Sequence, residues 1–121
     1  MMKTFLSAAA FSLLLTASSM AHSPVNTSNP ADGSTLSQPP ETLILNLAEP
    51  GRFMKVEVTH TTVDGSASHS AELEIPSRAS TDEMDFTPPS MGAGSYLVEW
   101  RVLGDDGHAM DGTVTYTVTA E

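Results

Sequence analysis

The fold is indicated most clearly by residues 95–103, which carry the sequence SYLVEWRVL. Every second residue of this stretch is large and apolar, namely Tyr96, Val98, Trp100 and Val102. A period of two is typical of a β-strand that buries one face and exposes the other. We therefore predict a half-buried strand here, with these four side chains on its core face.

The same alternation recurs on both sides of this stretch, at residues 42–47, 53–60, 71–75 and 114–118. In the second of these segments, Met54, Val56 and Val58 share one face. Runs rich in Pro, Gly, Asn and Asp separate the segments, among them residues 29–33, 49–51 and 105–107. Short strands at such regular spacing predict an all-β fold, either an Ig-like antiparallel sandwich or a Greek-key barrel.

Residues 76–94 show no clear alternation. They are compatible with one short strand around residues 84–87 or with a single helical turn, and the sequence does not decide between these alternatives.

The first 21 residues have the organisation of a secretory signal peptide. Lys3 gives a positive start, residues 5–15 form an apolar run, and residues 19–21 (SMA) place small residues where a signal peptidase cleaves. The apolar run is shorter than the roughly 20 residues that span a bilayer. We therefore predict a signal peptide at residues 1–21 and one domain at residues 22–121, with no stable membrane insertion after cleavage.

The charge balance excludes several classes of partner. The chain has 5 Lys and Arg residues against 15 Asp and Glu, and its formal net charge is −10. Nucleic acids and anionic membranes are bound by clustered Lys and Arg, so neither is an expected partner. The chain has no cysteine, which excludes thiolate metal sites and cysteine nucleophiles.

Three residues form a candidate metal site. Cleavage after residue 21 would make His22 the first residue, with its α-amino group and its Nδ1 in a chelating arrangement. Asp106 and His108 are one residue apart, a spacing that puts both side chains on one face of an extended segment. Taken alone, Asp106-Gly107-His108 has a commoner interpretation, a plain Asp-Gly hairpin turn with a surface histidine.

Together these residues would supply two imidazoles, one primary amine and one carboxylate. Three nitrogen donors suit tetragonal Cu(II), which stands at the top of the affinity order for such donors. A free α-amino group has a pKa of about 7.7–8, so it is mostly protonated at neutral pH. The amine must lose this proton before it can bind a metal. Metal binding is therefore expected to release protons and to weaken in acid.

The ordered set of motifs resembles the CopC-type periplasmic copper-resistance proteins. The motifs are His22, NPADG at 29–33, LNLAE at 45–49, GSYLVEWRV at 94–102, DGH at 106–108 and GTVTYTV at 112–118. The resemblance implies a Greek-key β-barrel of about seven strands. It also implies one Cu(II) ion per chain, bound by the His22 amine and imidazole, His108 and Asp106.

The resemblance further implies that Glu49 supports the N-terminal histidine without itself binding the metal. An outer carboxylate can orient a ligating imidazole and raise its basicity. The alternative is a solvated charge at the end of a strand.

The remaining histidines and the methionines are expected to serve other purposes. Some members of the family carry a Met-rich stretch, a soft site for Cu(I). Here the methionines after residue 21 are scattered along the chain, as Met54, Met84, Met91 and Met110. We interpret them mainly as packing residues and expect no separate Cu(I) site. His60 continues an apolar strand face and His69 lies in a Ser-rich loop, so neither is expected to be a ligand.

These features imply a periplasmic Cu(II) carrier or buffer of copper resistance, not an enzyme, with delivery to an inner-membrane copper transporter as one route. Two alternatives stay open. Oxidative polysaccharide monooxygenases also place an N-terminal histidine and a second histidine on copper, but the chain has only 4 Phe, 2 Tyr and 1 Trp to form a sugar-binding surface. The other alternative is a structural β-sandwich without metal.

Overall fold

A computed structural model describes residues 25–120 of the chain. It contains seven strands: β1 (Val25–Asn29), β2 (Ser34–Leu36), β3 (Leu43–Thr61), β4 (Ser68–Glu72), β5 (Thr81–Phe86), β6 (Gly94–Gly104) and β7 (Ala109–Val118). The predicted all-β class and the count of about seven strands are confirmed. The predicted signal peptide and His22 lie outside the described residues. Within those residues, no helix is long and apolar enough to cross a membrane.

Strand β3 organises the sheet because both of its edges are paired. Its first part lies between β1 and β5, so that Leu45 is opposite both Ser28 and Met84. Its second part lies between β6 and β4. β6 then pairs with β7, and β7 pairs in parallel with β2. The long β3 therefore connects the start of the domain to the β6–β7 hairpin.

The turn predicted at residues 49–51 lies inside β3. The ladder between β3 and β5 is interrupted from Asn46 to Gly51. Pro50 has no backbone N–H to donate, so it suits a point where a strand changes partners. The sequence signal is real, but it marks an irregularity within one strand of 19 residues and not a break between two strands.

The prediction that Met54 shares a face with Val56 and Val58 is wrong. The register of β3 against β6 shifts between Phe53 and Lys55. Such a shift inserts one residue and reverses the alternation beyond it. As a result Phe53 is fully buried, whereas Met54 is 41% exposed.

The undecided region at residues 76–94 contains β5, so the strand alternative is the one found. Met84 and Phe86 point from β5 into the core. The Phe86 ring meets the Phe53 ring edge-on, with centroids 5.2 Å apart.

One hydrophobic core fills the domain. Its buried residues are Leu43, Leu45, Leu47, Phe53, Val56, Val58, Leu73, Met84, Phe86, Tyr96, Val98, Trp100, Val102, Val114, Tyr116 and Val118. Every aromatic side chain in the described part of the chain is in this set. The aromatic residues of the described chain are therefore in the core, and the candidate metal ligands lie at the polar ends of the strands.

Candidate metal centre

Residues 105–108 join β6 to β7 in a tight turn. The backbone N–H of Gly104 donates to the carbonyl oxygen of His108 at 2.8 Å, and the N–H of Gly107 donates to the carbonyl oxygen of Gly104 at 2.9 Å. Gly107 has a φ of +86°, in the left-handed region that favours glycine. The backbone is therefore an ordinary Asp-Gly hairpin turn, as the simpler interpretation of the motif required.

This turn brings the two predicted side-chain ligands together. Oδ1 of Asp106 accepts a hydrogen bond from the backbone N–H of His108 at 3.0 Å. Its Oδ2 lies 3.1 Å from Nδ1 of the same histidine. The backbone hydrogen bond, and after it the contact with the ring, hold the pKa of Asp106 below its ordinary value. The spacing of the two residues predicts a shared face in an extended segment, whereas the contact arises from the turn.

The pair is open to solvent, and one ring nitrogen is left for a metal. The side chains of His108 and Asp106 are 81% and 64% exposed. Because Nδ1 of His108 faces the carboxylate, Nε2 is the nitrogen that points away from it. A carboxylate on the far side of an imidazole fixes the ring orientation and raises its basicity. Asp106 can serve His108 in this way, or it can release Nδ1 and offer an oxygen to the metal itself.

Gly104 provides the space in which the carboxylate sits. A Cβ at Gly104 would lie 2.8 Å from Oδ1 of Asp106 and 3.6 Å from the terminal methyl of Met110. A contact of 2.8 Å is too short for carbon and oxygen, so a larger residue here would displace the carboxylate. Oδ1 of Asp106 and the terminal methyl of Met110 therefore both lie close to Gly104.

The other carboxylates near this turn are engaged elsewhere. Asp105 accepts a hydrogen bond from the Ser80 hydroxyl at 2.7 Å, which ties the turn to the segment before β5. Asp111 accepts one from Nε of Arg101 at 2.9 Å. Asp106 is thus the carboxylate of this group that faces the histidine ring.

The pair requires additional donors to form a metal site. Within residues 25–120, no group of three or more His, Asp or Glu side chains could hold a metal ion. The third and fourth donors were predicted to come from His22, which lies outside the described residues.

Strand register relates the start of the described chain to this turn. Val25, at the beginning of β1, lies opposite Leu47 of β3. Gly51 of the same strand lies opposite Gly104, which begins the turn. Glu49 falls on β3 between these two positions and is exposed. Its supporting role stays a prediction, since the residue it would support is His22.

The other two histidines lie together on the β3–β4 hairpin. His60 is 4% exposed, and its Nε2 lies 2.9 Å from the carbonyl oxygen of Ala93. Its ring packs on Tyr96, with centroids 4.8 Å apart. His69 is directly opposite on β4 and is exposed. This neighbour relation depends on strand register, which the spacing of the two histidines in the sequence does not reveal.

The fold and the candidate site together define an all-β domain with an exposed histidine–carboxylate pair at one hairpin. Comparison with known proteins identifies the family. The sequence profile of the CopC domain matches residues 25–119. The chain therefore belongs to the CopC family, which confirms the resemblance noted from its motifs.

Two curated relatives and one solved structure illustrate this membership. The chain is similar to copper resistance protein C of Escherichia coli, with 32% identity over 107 residues and 84% of each chain covered. It is also similar to copper resistance protein C of Xanthomonas campestris pv. juglandis, with 28% identity over 110 residues that cover 87% of this chain and 86% of that one. The crystal structure of PcoC, a methionine-rich copper resistance protein from Escherichia coli, superposes with a TM-score of 0.64 at 26% identity, and covers 82% of this chain and 100% of that chain.

Proposed function

We propose that this chain is a periplasmic copper-binding protein of copper resistance that carries or buffers one Cu(II) ion. The His22 amine and imidazole, His108 and Asp106 bind the ion, and Glu49 supports the N-terminal residue. The observation that carries the proposal is the exposed pair of Asp106 and His108, whose Oδ2 and Nδ1 lie 3.1 Å apart in a chain of the CopC family.

The position of β1 supports a contribution from His22. Val25 follows His22 by three residues, and three residues span at most about 10 Å. From Leu47, the residue opposite Val25, strand β3 runs through Glu49 to the residue that pairs with Gly104. An N-terminal segment that continued along this edge of β3 would approach the turn.

The donor set supports copper over harder metals. Two imidazoles and an amine are nitrogen donors, which Cu(II) prefers in a tetragonal arrangement, whereas Mg²⁺ and Ca²⁺ prefer oxygen donors. The ionised Asp106 would offset part of the positive charge of the ion. The metal is cargo here, so the requirement on the protein is selective binding and release.

The predicted cleavage after residue 21 supports the location. A signal peptide at residues 1–21 would deliver a domain of residues 22–121 to the periplasm, and the same cleavage would create the amine donor. Copper binding is then confined to the exported form. Transfer to an inner-membrane copper transporter is the proposed next step.

The distribution of aromatic residues favours a carrier over a polysaccharide monooxygenase. An enzyme of that kind needs exposed aromatic rings to hold its substrate. In the described part of the chain, the aromatic side chains are each at most 3% exposed, namely Phe53, Phe86, Tyr96, Trp100 and Tyr116.

Two measurements on the exported protein test the proposal. Mass analysis should show a chain that begins at His22. Titration of that chain with Cu(II) against a competing chelator at neutral pH should show one tightly bound equivalent, with an electron paramagnetic resonance (EPR) spectrum of nitrogen-ligated Cu(II). Absence of tight binding would favour the metal-free structural alternative, and sustained turnover on a polysaccharide by the copper-loaded protein would favour the enzyme.

A further inference from the structure

Met110 lies beside the turn that carries the metal pair. It is opposite Val102 in the β6–β7 ladder, so its side chain is on the inward face of the sheet at the end of the barrel. A Cβ on Gly104 would lie within 3.6 Å of the terminal methyl of Met110, of Oδ1 of Asp106 and of the carbonyl oxygen of His108. The terminal methyl of Met110 and the Asp106 carboxylate therefore both lie close to Gly104, beside the backbone carbonyl of His108.

Met110 is more accessible to solvent than the residue that it faces. Its side chain is partly exposed, whereas the facing Val102 is 1% exposed. A thioether is a soft, weakly basic ligand that favours Cu(I), and it needs access to the ion to act as one. Met110 is partly exposed and follows His108 by two residues, so an ion at this turn can reach its side chain.

The other methionines of the described part of the chain lie elsewhere. Met84 is buried in the core on β5. Met54 lines a surface groove with Lys55 and Glu99 on the outer face of the sheet. Met91 packs against the core before the start of β6, at the opposite end of that strand from the turn. In the described part of the chain, Met110 is the methionine beside the turn that carries Asp106 and His108.

We propose that the Met110 sulfur is a ligand for Cu(I) at this centre, together with the imidazole of His108. The proposal rests on the function proposed above and extends it to reduced copper. The imidazole serves both oxidation states, the amine and Asp106 suit Cu(II), and the thioether suits Cu(I). One centre would then retain the ion after reduction by an external reductant, so no separate Met-rich stretch is needed.

Substitution of the sulfur without loss of volume tests the proposal. Met110→Leu keeps a side chain of similar size, and apolar substitutions that conserve volume are tolerated best, so the variant should fold. Met91→Leu is the matched control, because it removes one partly buried thioether at the other end of β6. All proteins should begin at His22 and be loaded anaerobically with Cu(I) in the presence of ascorbate.

X-ray absorption at the copper edge and competition with a Cu(I) chelator give the readouts. We expect a sulfur scatterer on Cu(I) in the wild-type protein and in Met91→Leu, and none in Met110→Leu. Loss of an outer-shell partner already costs about 10–100-fold in metal affinity, so loss of this ligand should weaken Cu(I) binding at least about tenfold. A sulfur scatterer that persists in Met110→Leu, or that is absent from the wild type, would overturn the proposal.

Cu(II) binding by the same proteins separates this proposal from the proposed function. Cu(II) affinity and the EPR spectrum should be unchanged in Met110→Leu, since the thioether is not a Cu(II) ligand here. Equal losses of Cu(I) and Cu(II) affinity would show that Met110 only packs against the turn, and would contradict its role as a ligand. A wild-type protein that binds no Cu(II) would instead contradict the proposed function.

Discussion

The domain contains two hairpin turns with nearly the same backbone and different chemistry. One joins β3 to β4 through Asp64-Gly65-Ser66, and the other joins β6 to β7 through Asp106-Gly107-His108. In both, the aspartate Oδ1 accepts the backbone N–H two residues later at 3.0 Å. The central glycines have φ values of +73° and +86°, and each donates its N–H to the carbonyl oxygen three residues before it at 2.9 Å.

The difference between these turns lies in the third residue. The Ser66 hydroxyl donates to Oδ1 of Asp64 at 2.7 Å, whereas the His108 ring meets the other carboxylate oxygen of Asp106 and keeps Nε2 free. The turns lie at opposite ends of β6, because Thr61, which ends β3, pairs with Ser95. An Asp-Gly turn is therefore a structural device in both places, and a histidine at the appropriate end of the sheet makes one of them a candidate metal site.

The largest expected effect on Cu(II) affinity comes from replacing His108 of the second turn by serine, the residue found at the matching position of the first turn. In the protein that begins at His22, His108→Ser should keep the turn, because a hydroxyl can again donate to the carboxylate. Loss of the imidazole should weaken Cu(II) binding more than about 100-fold, beyond the cost of losing an outer-shell partner. Competition titration against a chelator measures this effect, and His69→Ser, at an exposed histidine near the other turn, is the control. An affinity within tenfold of wild type would show that His108 is not a ligand.

Removal of the charge of Asp106 should have a smaller effect. In Asp106→Asn the amide oxygen can still accept the N–H of His108, so the turn should persist. Loss of the anionic partner should weaken Cu(II) binding by about 10–100-fold. Asp105→Asn is the matched control, because that carboxylate is bound to Ser80 and does not face the ring. If the two substitutions weakened Cu(II) binding equally, Asp106 would contribute only negative charge and no specific contact with the metal or the His108 ring.

The Asp64 carboxylate of the first turn should stay ionised at a lower pH than an ordinary aspartate. The backbone N–H of Ser66, then the hydroxyls of Ser66 and Thr62, lower the pKa of Asp64 from its ordinary 3.8 to about 2. A depressed pKa stabilises the folded state above the ordinary pKa, and this contribution is lost as the pH falls through about 2. A pH titration of the Asp64 carboxyl by nuclear magnetic resonance should therefore give a pKa of about 2, and Ser66→Ala should raise it. A wild-type value near 3.8 would contradict these hydrogen bonds.

The smallest expected effect comes from the reverse exchange. Ser66→His creates a second Asp-Gly-His turn at the other hairpin, but no α-amine is expected at that end of the sheet. Cu(II) titration should still show one tight equivalent, with an affinity within about twofold of wild type, because an exposed substitution changes little. A second tightly bound equivalent of Cu(II) would show that an Asp-Gly-His turn binds copper tightly without the α-amine.

The sequence predicts the parts of the fold in which alternation is undisturbed. β6 and β7 follow their patterns over most of their length. β1 and β2 do not appear in the sequence argument, because VNTSN and STL are short and have no apolar alternation. Their place depends on partners far along the chain, Leu47 for Val25 and Tyr116 for Ser34.

The errors within β3 have a common cause. Alternation predicts faces only while the register is regular, and β3 shifts register against β6 between Phe53 and Lys55. One extra residue moved Met54 to the surface and Phe53 to the core. The same strand shifts against β5 near Pro50, which the sequence presented as a turn.

Spacing in the sequence predicts that Asp106 and His108 lie close together. It does not predict the positions of Met110 and His22 relative to this pair. Asp106 and His108 are close in sequence, so a local turn suffices to bring them together. The proposed contribution of Met110 depends on the hairpin register, which places its terminal methyl and Oδ1 of Asp106 close to Gly104. The proposed contribution of His22 depends on the predicted cleavage after residue 21, because its backbone nitrogen would be an amide in the precursor.

The most direct test of the central claim is the Cu(II) affinity of two proteins that differ by one residue before His22. One begins at His22, and the other carries a single glycine in front of it. The extra residue moves the α-amine away from the imidazole of His22 and leaves residues 25–120 unchanged. We predict that the extended protein binds Cu(II) at least about 100-fold more weakly and has a different EPR spectrum, because a ligand and its chelate ring are lost. Equal affinities and equal spectra would show that the N-terminal amine is not part of the site.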